Sequence, residues 1–306
     1  MHLISGNSNK ILADKIASYL NIDVCDTEIS KFKDSEIFVE IKESLQGGDV
    51  FFVQSIANPT SENIMELLIG VDALKRSSAK RITAVIPYYG YGRQDRRIGK
   101  RTSIPAKLLA NLITCAGADR VLSLDLHTMQ IQGFFDIPID NLYASPVFIS
   151  DIIRDNIDYI IVSPDIGGVS RARNLAEQLN TGLVIVDKRR EAPGSSEVIN
   201  VIGDVQNKEC IIIDDIIDSG CTIIKAAEAL YANGAKSVKA YVTHAVLSGD
   251  AIERINDSCL DELIITDSID LKIVSGNKIR IISVASLIAE AIKRISEEGS
   301  VSSLFN

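Results

Sequence analysis

The sequence predicts an α/β protein with two domains. Short apolar runs bounded by Gly, Asp and Pro alternate with helix-length amphipathic stretches along the whole chain, which is the pattern of parallel strands joined by crossover helices. The chain has 306 residues, of which 46% are hydrophobic and 24% charged, so it lies near the size at which a single core divides. We therefore expect two domains, each with a mainly parallel sheet flanked by helices.

The apolar runs predict the strands, and the periodic amphipathic stretches predict the helices. In chain order, strands are expected at residues 50–54, 82–86, 120–125, 159–163, 183–186, 210–214 and 238–243. Helices are expected at residues 61–76, 104–115, 168–179 and 222–232. The sequence contains no low-complexity linker, so composition does not locate the boundary between the domains.

A sequence pattern that occurs twice, called the echo below, indicates where the two domains meet. A helix, Ala116-Gly117-Ala118, an apolar strand and His127 reappear as a helix, Asn233-Gly234-Ala235, an apolar strand and His244. Either both glycines are ordinary left-handed helix caps, or the chain contains a duplicated α/β domain. Together with the chain length, the echo places the boundary near Ser145-Pro146, which gives domains 1–146 and 147–306.

Charge and cysteine content limit the kinds of partner that we expect. A formal net charge of −9 argues against a nucleic-acid partner, which would normally meet a basic face. The apolar runs are strand-length and Met1-His2-Leu3-Ile4 lacks signal-peptide features, so neither a membrane span nor secretion is expected. Five scattered cysteines without a CxxC pair fit a reducing compartment, and we expect a cytoplasmic protein.

The segment CIIIDDIIDSGCT, residues 210–222, predicts a cradle for a phosphorylated sugar. A buried strand ends in Asp214 and Asp215, which we expect to point to opposite faces of the sheet. A short turn then leads into a helix whose free amides and positive dipole end can hold a phosphate. The two carboxylates would accept hydrogen bonds from ribose hydroxyls or hold a hydrated Mg²⁺.

The turn itself supports two interpretations. Ser219 and Thr222 would donate hydroxyl groups to phosphate oxygens if the turn binds a ligand. Alternatively, Asp218 and Ser219 form an ordinary helix cap, although a cap leaves the paired acids unexplained.

Several longer motifs resemble the ribose-phosphate pyrophosphokinase family. The segment 210–222 looks like the phosphoribosyl-pyrophosphate loop that this family shares with type I phosphoribosyltransferases. Four further motifs follow the family's order and spacing: VIPYYGYGRQDRR (85–97), SLDLHTMQIQGFFDIPIDNL (123–142), VSPDIGGVSRAR (162–173) and VDKRR (186–190). The resemblance extends from about Leu3 to Phe305. It implies two tandem type I phosphoribosyltransferase-like domains, with roughly the last ten residues packing back on the first domain.

The resemblance also implies an activity. Family members transfer the β,γ-diphosphoryl group of Mg-ATP to the 1-hydroxyl of ribose 5-phosphate, with AMP leaving, and usually assemble as hexamers. The sequence contains no GxxxxGK[ST] loop, which disfavours an ordinary P-loop kinase. A phosphoribosyltransferase is the first alternative, disfavoured by the nucleotide motif at 85–97 and by the chain length. A catalytically weak regulatory homologue that associates with active subunits is the second alternative.

Site residues follow from the family's motifs. Lys188 and Arg190 match catalytic positions on a loop that closes over the substrates. His127 and Asp165 match positions at Mg²⁺, and Asp165 is the stronger ligand because Mg²⁺ prefers oxygen. The nucleotide positions are Arg93, Gln94 and Asp95, together with Phe32, Asp34, Ser35 and Glu36 from a neighbouring subunit. The ribose 5-phosphate positions are Arg190, Asp214, Asp215, Asp218, Ser219, Gly220, Cys221 and Thr222.

Regulation by phosphate and ADP is implied by a further set of positions. They are Ser44, Arg101, Gln132, Asp140, Asn141, Ser300 and Ser302, and the family's effector site lies between subunits. Gln46 stands where many relatives place Arg, so we expect weaker anion binding at this site.

Two further positions depart from the family's pattern. Cys221 occupies a position where the family usually has Gly, so positive φ or close approach of phosphate to the backbone would make it unfavourable. Ser35 stands where bacterial relatives often have Gly.

Overall fold

The structure is a computed structural model that describes residues 1–153, 159–190, 197–271 and 278–305, with only the backbone at 188–190 and 197–199. The strands are β1 (His2–Ser5), β2 (Thr27–Lys31), β3 (Ile37–Ile41), β4 (Asp49–Val53), β5 (Arg81–Ile86), β6 (Arg120–Leu124), β7 (Ile139–Leu142), β8 (Tyr159–Ser163), β9 (Leu183–Arg190), β10 (Glu197–Ile202), β11 (Glu209–Ile217), β12 (Ser237–Ala245), β13 (Glu262–Thr266) and β14 (Ile279–Ile282). The helices are α1 (Lys10–Leu20), α2 (Thr60–Arg76), α3 (Pro105–Ala116), α4 (Ser145–Ile152), α5 (Val169–Gln178), α6 (Cys221–Ala232), α7 (Ala251–Asn256) and α8 (Ala285–Ser296).

The chain divides into two compact units. The first comprises Met1–Ala144, Ser268–Asp270 and Ser283–Asn306, and the second comprises Ser145–Asp267 and Leu271–Ile282. The division therefore falls two residues before the expected boundary. The C-terminal segment that joins the first unit is also longer than the sequence indicated, because α8 packs against α1 over its length.

The first unit is built on a five-stranded sheet in the order β1-β4-β5-β6-β7, in which every neighbouring pair is parallel. The central strand β5 has five consecutive buried residues, which is typical of a parallel strand covered on both faces. A separate antiparallel hairpin, β2–β3, packs on α2.

The second unit contains a seven-stranded sheet in the order β10-β9-β8-β11-β12-β13-β14. Only the β10–β9 pair is antiparallel among the described strands of this sheet. Each unit has its own apolar core, so the predicted α/β class with mainly parallel sheets is confirmed.

All the predicted strands and helices are present at the expected places. Three strands run further than predicted, since β9 continues to Arg190, β11 to Ile217 and β12 to Ala245. The two glycines of the echo both have positive φ, 115° at Gly117 and 87° at Gly234, so both serve as left-handed turns at helix ends. The cap interpretation is confirmed, and domain duplication stays a prediction.

The two histidines of the echo differ in environment. His244 lies inside β12 with 1% of its surface exposed, whereas His127 is exposed in the loop that follows β6. No helix in the described residues has the length and apolarity that a membrane crossing requires.

Candidate active site

The order of strands in the second unit contains a topological switch point beside β8. From β8, the chain goes first to β9 on one side and later to β11 on the other side. The connections that leave these two adjacent parallel strands therefore go in opposite directions. In open α/β sheets, ligands bind at such a point, outside the carboxyl ends of the strands. Asp165 follows β8, and Asp214 and Asp215 lie near the carboxyl end of β11.

The paired acids are held together by a guanidinium group that the sequence interpretation did not assign. Arg171 on α5 places Nη1 2.9 Å from Asp215 Oδ1 and 3.7 Å from Asp214 Oδ1. Both carboxylates thus reach the same nitrogen although the residues are adjacent in a strand. The acids also do not end the strand as predicted, because β11 continues through Ile217 and pairs with β12 as far as Ala245.

Burial and the neighbouring carboxylate favour the protonated form of Asp214. The side chain of Asp215 is 5% exposed and that of Asp214 is 14% exposed. Burial first, and then the charge of Asp215, raises the pKa of Asp214 well above its usual range, while Arg171 opposes that rise. An additional cation beside the pair would favour the ionised form of Asp214, in which both carboxylate oxygens accept hydrogen bonds.

The turn after β11 presents the start of α6 towards the same edge. Gly220 is the N-cap residue with φ of 79°, so the cap position carries no side chain. Asp218 instead accepts a hydrogen bond at Oδ1 from the Ser248 hydroxyl. The N-cap residue is therefore Gly220 and not Asp218 or Ser219, and the N-terminus of α6 is the end of the helix dipole that favours an anion.

Cys221 is the first residue of α6, and its backbone is not strained. The residue with positive φ is Gly220, and Cys221 is not among the described residues with positive φ. The expectation of backbone strain at Cys221 is therefore wrong, since the turn places its glycine one residue earlier. Crowding of a bound phosphate by the side chain stays a prediction.

The Cys221 thiol has two polar neighbours. Arg254 on α7 donates from Nη1 to Cys221 Sγ at 3.1 Å and to the Ser219 carbonyl oxygen at 2.8 Å. The hydrogen bond with Ser219, followed by the charge of Arg254, lowers the pKa of this exposed thiol. Arg254 was not identified from sequence because it lies 33 residues away from Cys221.

The two predicted metal positions lie in different units, and each is described in its own. Asp165 Oδ1 accepts a hydrogen bond from the Gly168 amide at 2.9 Å, which orients the carboxylate at the end of β8. His127 is exposed in the loop after β6. The described residues contain no group of three or more His, Cys, Asp or Glu side chains arranged to hold a metal. Asp165, Asp214 and Asp215 each offer carboxylate oxygens, the type of ligand that Mg²⁺ prefers, and a magnesium site stays a prediction.

Comparisons with known proteins decide the family. The N-terminal domain of ribose phosphate pyrophosphokinase matches residues 1–117, and the phosphoribosyl synthetase-associated domain matches residues 190–306. The chain is 58% identical to a protein of Rhizobium meliloti (strain 1021) named ribose-phosphate pyrophosphokinase, with all of both chains covered. The chain belongs to the ribose-phosphate pyrophosphokinase family.

Two further similarities agree with this family. A ribose-phosphate pyrophosphokinase of Brucella melitensis biotype 1 is 57% identical, again over all of both chains. The crystal structure of phosphoribosylpyrophosphate synthetase from Mycobacterium smegmatis superposes with a TM-score of 0.92 at 40% identity, covering 97% of this chain and 99% of that one. The chain is therefore an enzyme of the diphosphotransferase class, as its sequence motifs predicted.

The nucleotide positions that the family implies fall on two segments of the first unit. Phe32, Asp34, Ser35 and Glu36 form the tip of the β2–β3 hairpin. The Phe32 ring is 56% exposed and meets Phe38 edge-on, with 5.6 Å between ring centroids. Ser35 has φ of 73°, which accounts physically for the glycine that bacterial relatives often carry there.

The second nucleotide segment follows β5. Arg93 and Gln94 are exposed there, whereas Asp95 is only 6% exposed. Asp95 Oδ2 accepts hydrogen bonds from Thr128 Oγ1 at 2.7 Å and from Gln130 Nε2 at 2.6 Å. Its carboxylate thus contacts the loop that carries His127.

The two catalytic positions lie at the end of β9. The backbone of residues 188–190 pairs with β10, and the side chains of Lys188 and Arg190 lie outside the described part of the structure. Their roles stay predictions.

The regulatory positions all belong to the first unit. Gln132 and Asn141 both donate side-chain amide protons towards Met129 Sδ, at 3.7 Å and 3.9 Å. Ser300 and Ser302 share a hydrogen bond between their hydroxyl groups. Asp140 pairs with Arg120 at 2.5 Å, while Ser44, Gln46 and Arg101 are exposed. An effector site formed by these positions stays a prediction.

Proposed function

We propose that the protein transfers the β,γ-diphosphoryl group of Mg-ATP to the 1-hydroxyl of ribose 5-phosphate, giving 5-phosphoribosyl 1-pyrophosphate and AMP for nucleotide biosynthesis. The observation that carries this proposal is the arrangement of acids and helix N-terminus at the carboxyl end of β11. There the paired acids, Asp214 and Asp215, lie just before an α6 N-terminus whose cap residue is Gly220. Carboxylates for sugar hydroxyls and amides for a phosphate are together the donor and acceptor set that a phosphorylated ribose requires.

Binding of ribose 5-phosphate follows from these groups. The first amides of α6 would donate to the 5-phosphate, where the helix dipole favours negative charge. Asp214 and Asp215 would accept hydrogen bonds from the ribose hydroxyls, and Arg171 would hold the carboxylates in place. Fixing the sugar in this way would direct its 1-hydroxyl, which removes orientational freedom from the barrier.

The transfer itself requires neutralisation of phosphate charge. Mg²⁺ would neutralise that charge when bound, and the family resemblance assigns Asp165 and His127 to it. Lys188 and Arg190 would add cations where charge develops on the transferred group and on the leaving AMP. Arg93, Gln94 and the Phe32 hairpin of a neighbouring subunit would bind the nucleotide. Positioning and charge neutralisation dominate this chemistry, so a dedicated general base is not required.

The setting of the reaction follows the family. We propose a cytoplasmic homo-oligomer, a hexamer by resemblance, that is activated by phosphate and inhibited by ADP. A catalytically weak regulatory homologue is the competing function, and the specific observation that favours it is Cys221 at the cradle.

Product analysis tests the proposal. The enzyme is incubated with ribose 5-phosphate and with ATP labelled in the β- or the γ-phosphate. We expect both labels to move to the sugar and AMP to form in equal amount. Formation of ADP would indicate a simple kinase, and no transfer by a folded protein would favour the regulatory homologue. Asp214→Asn serves as the matched control, since it should weaken the use of ribose 5-phosphate while preserving the side-chain shape.

A further inference from the structure

Asp95 belongs to the segment with the exposed Arg93 and Gln94, but its environment differs from theirs. Arg93 and Gln94 face solvent, whereas the Asp95 side chain is buried. A buried carboxylate is costly unless hydrogen-bond donors compensate it. Here the donors come from residues more than thirty positions later in the chain, Thr128 and Gln130. The carboxylate therefore joins the turn after β5 to the loop after β6.

The loop after β6 holds His127 between two tethers. On one side the Leu126 amide donates to Asn141 Oδ1 at 3.0 Å. On the other side the Thr128 hydroxyl donates to Asp95 Oδ2 at 2.7 Å. The residue between them has little freedom to move, because both neighbours are fixed by hydrogen bonds that are at least partly buried.

The nucleotide turn also packs closely beside this loop. A Cβ added at Gly92 would lie 3.6 Å from the His127 Cβ. The turn that presents Arg93 and Gln94 therefore lies next to the histidine backbone, and Asp95 is the side chain that bonds the two segments. A shift of either segment would alter the distance between the nucleotide-contacting side chains and the imidazole.

We propose that Asp95 is a positioning residue, which holds the His127 loop against the Arg93-Gln94 turn, and that it does not contact the nucleotide directly. This inference rests on the proposed function for its effect on catalysis. One carboxylate oxygen, Oδ2, is already engaged by two donors, and the side chain has little surface with which to meet a ligand. Asp95 acts through the loop, so its loss should misplace His127 more than it weakens binding of ATP.

The test compares variants on both sides of the hydrogen bond. Asp95→Ala, Thr128→Val and the double variant are measured for kcat and for KM of ATP. Each single variant should lower kcat by about 10- to 100-fold, with a change in KM of less than about threefold. The double variant should be no worse than the poorer single variant, because both changes remove the same contact. Thr128→Ser, which keeps the hydroxyl, should restore activity.

A matched control separates this effect from general destabilisation. Asp119 accepts a hydrogen bond from the Ile82 amide near the amino ends of β5 and β6, at the opposite edge of the sheet. Asp119→Ala should lower thermal stability and leave kcat near the wild-type value. If Asp95→Ala does not fold, Thr128→Val and its Ser counterpart carry the comparison by themselves.

Hydrogen exchange gives a measurement that does not depend on activity. Peptides covering residues 126–131 should exchange faster in Asp95→Ala and Thr128→Val than in wild type. Their exchange rate should be unchanged in Asp119→Ala. If the wild-type enzyme makes no AMP, the proposed function is wrong, but the exchange measurement still tests the contact between Asp95 and Thr128. A raised KM for ATP in Asp95→Ala with normal kcat, together with a normal Thr128→Val enzyme, would overturn the positioning role. Unchanged exchange in both variants would overturn it as well.

Discussion

At the scale of single residues, the candidate site depends on polar partners that come from distant parts of the chain. Arg171 on α5 donates a hydrogen bond to the Asp215 carboxylate, and Arg254 on α7 donates to the Ser219 carbonyl oxygen in the turn between β11 and α6. Both arginines lie on helices whose sequences contain other charged residues, so composition does not distinguish them. Their roles emerge only from the distances to Asp215, Ser219 and Cys221.

Lys188 provides the most direct test of the transfer step. If Lys188 meets charge that develops mainly in the transition state, Lys188→Ala should lower kcat by roughly 10²–10³-fold and change KM far less. Steady-state kinetics with varied ATP and ribose 5-phosphate separate the two constants. Near-normal turnover would remove Lys188 from the mechanism.

Asp214→Asn should raise the stability of the protein above about pH 4 and should weaken its binding of ribose 5-phosphate. Its pKa is higher in the folded chain than in the unfolded chain, so its ionisation opposes folding. Below about pH 4 both states hold the proton, and Asp214→Asn gains nothing over wild type. As the pH rises from there through the folded pKa, wild type loses stability relative to the variant, and the difference then stays constant.

Thermal melts of both proteins across this pH range measure the difference. The same substitution should weaken binding of ribose 5-phosphate by roughly tenfold, because an amide offers one acceptor oxygen where the carboxyl group offers two. A variant that is less stable than wild type at neutral pH would contradict the assigned cost of burying this carboxyl.

Cys221 should react as a thiolate at lower pH than Cys259. The pKa of Cys221 is lowered by Ser219 and Arg254, whereas burial raises the pKa of Cys259. Alkylation with iodoacetamide followed by peptide mapping should therefore modify Cys221 first, and ribose 5-phosphate should protect it. Modification of Cys221 that is unaffected by saturating ribose 5-phosphate would argue against a phosphate at the start of α6.

Removal of the Cys221 side chain tests crowding in the cradle. Because the backbone there is helical and unstrained, any gain in Cys221→Gly must come from space for the phosphate. Titration calorimetry should show tighter binding of ribose 5-phosphate. Weaker binding would indicate that the thiol and Arg254 support the turn.

At the scale of elements, the sequence pattern identified those segments whose residues are buried on both faces. The strands β4, β5, β8 and β11 have continuous apolar runs, and the runs located them within a few residues. The hairpin β2–β3 was not predicted, because its residues are only half-buried and alternate with charged ones. The extension of β11 beyond its apolar run was also missed, since pairing with β12 supports the acidic residues there.

Packing between α2 and β4 depends on Gly70, although glycine has a low propensity for helix. A Cβ at Gly70 would lie 2.3 Å from the Phe52 ring, inside the core of the first unit. Gly70→Ala should therefore destabilise the protein by about 1–3 kcal/mol despite the higher helix propensity of alanine. Denaturant unfolding measures the change. Gly133→Ala is the matched control, because a Cβ there meets no atom within 4 Å.

At the scale of the whole molecule, the proposed regulation by phosphate and ADP would depend on positions spread over the first unit and on assembly. Gln46 lacks the positive charge that many relatives place there, so effector anions should bind less tightly. Gln46→Arg should shift both phosphate activation and ADP inhibition to concentrations lower by roughly tenfold, because a charge-assisted hydrogen bond is gained. Activity assays with each effector titrated measure the shift.

A second arginine variant separates this effect from a change in net charge. Gln178→Arg adds the same charge at an exposed position at the end of α5 in the second unit. It should leave both titrations unchanged. Activity that is indifferent to phosphate in wild type and in Gln46→Arg would contradict the proposed effector site.

The sequence by itself determined the class of the fold, the places of its buried elements and the family, because apolar periodicity and local motifs depend on residues close together in the chain. Only the tertiary structure decided which residues complete the site. Arg171, Arg254 and the Asp95–Thr128 contact join segments that are 33 or more residues apart, so no local pattern contains them. The structure also decided the conformation of Cys221, because the positive φ of the turn falls on Gly220, one residue before it.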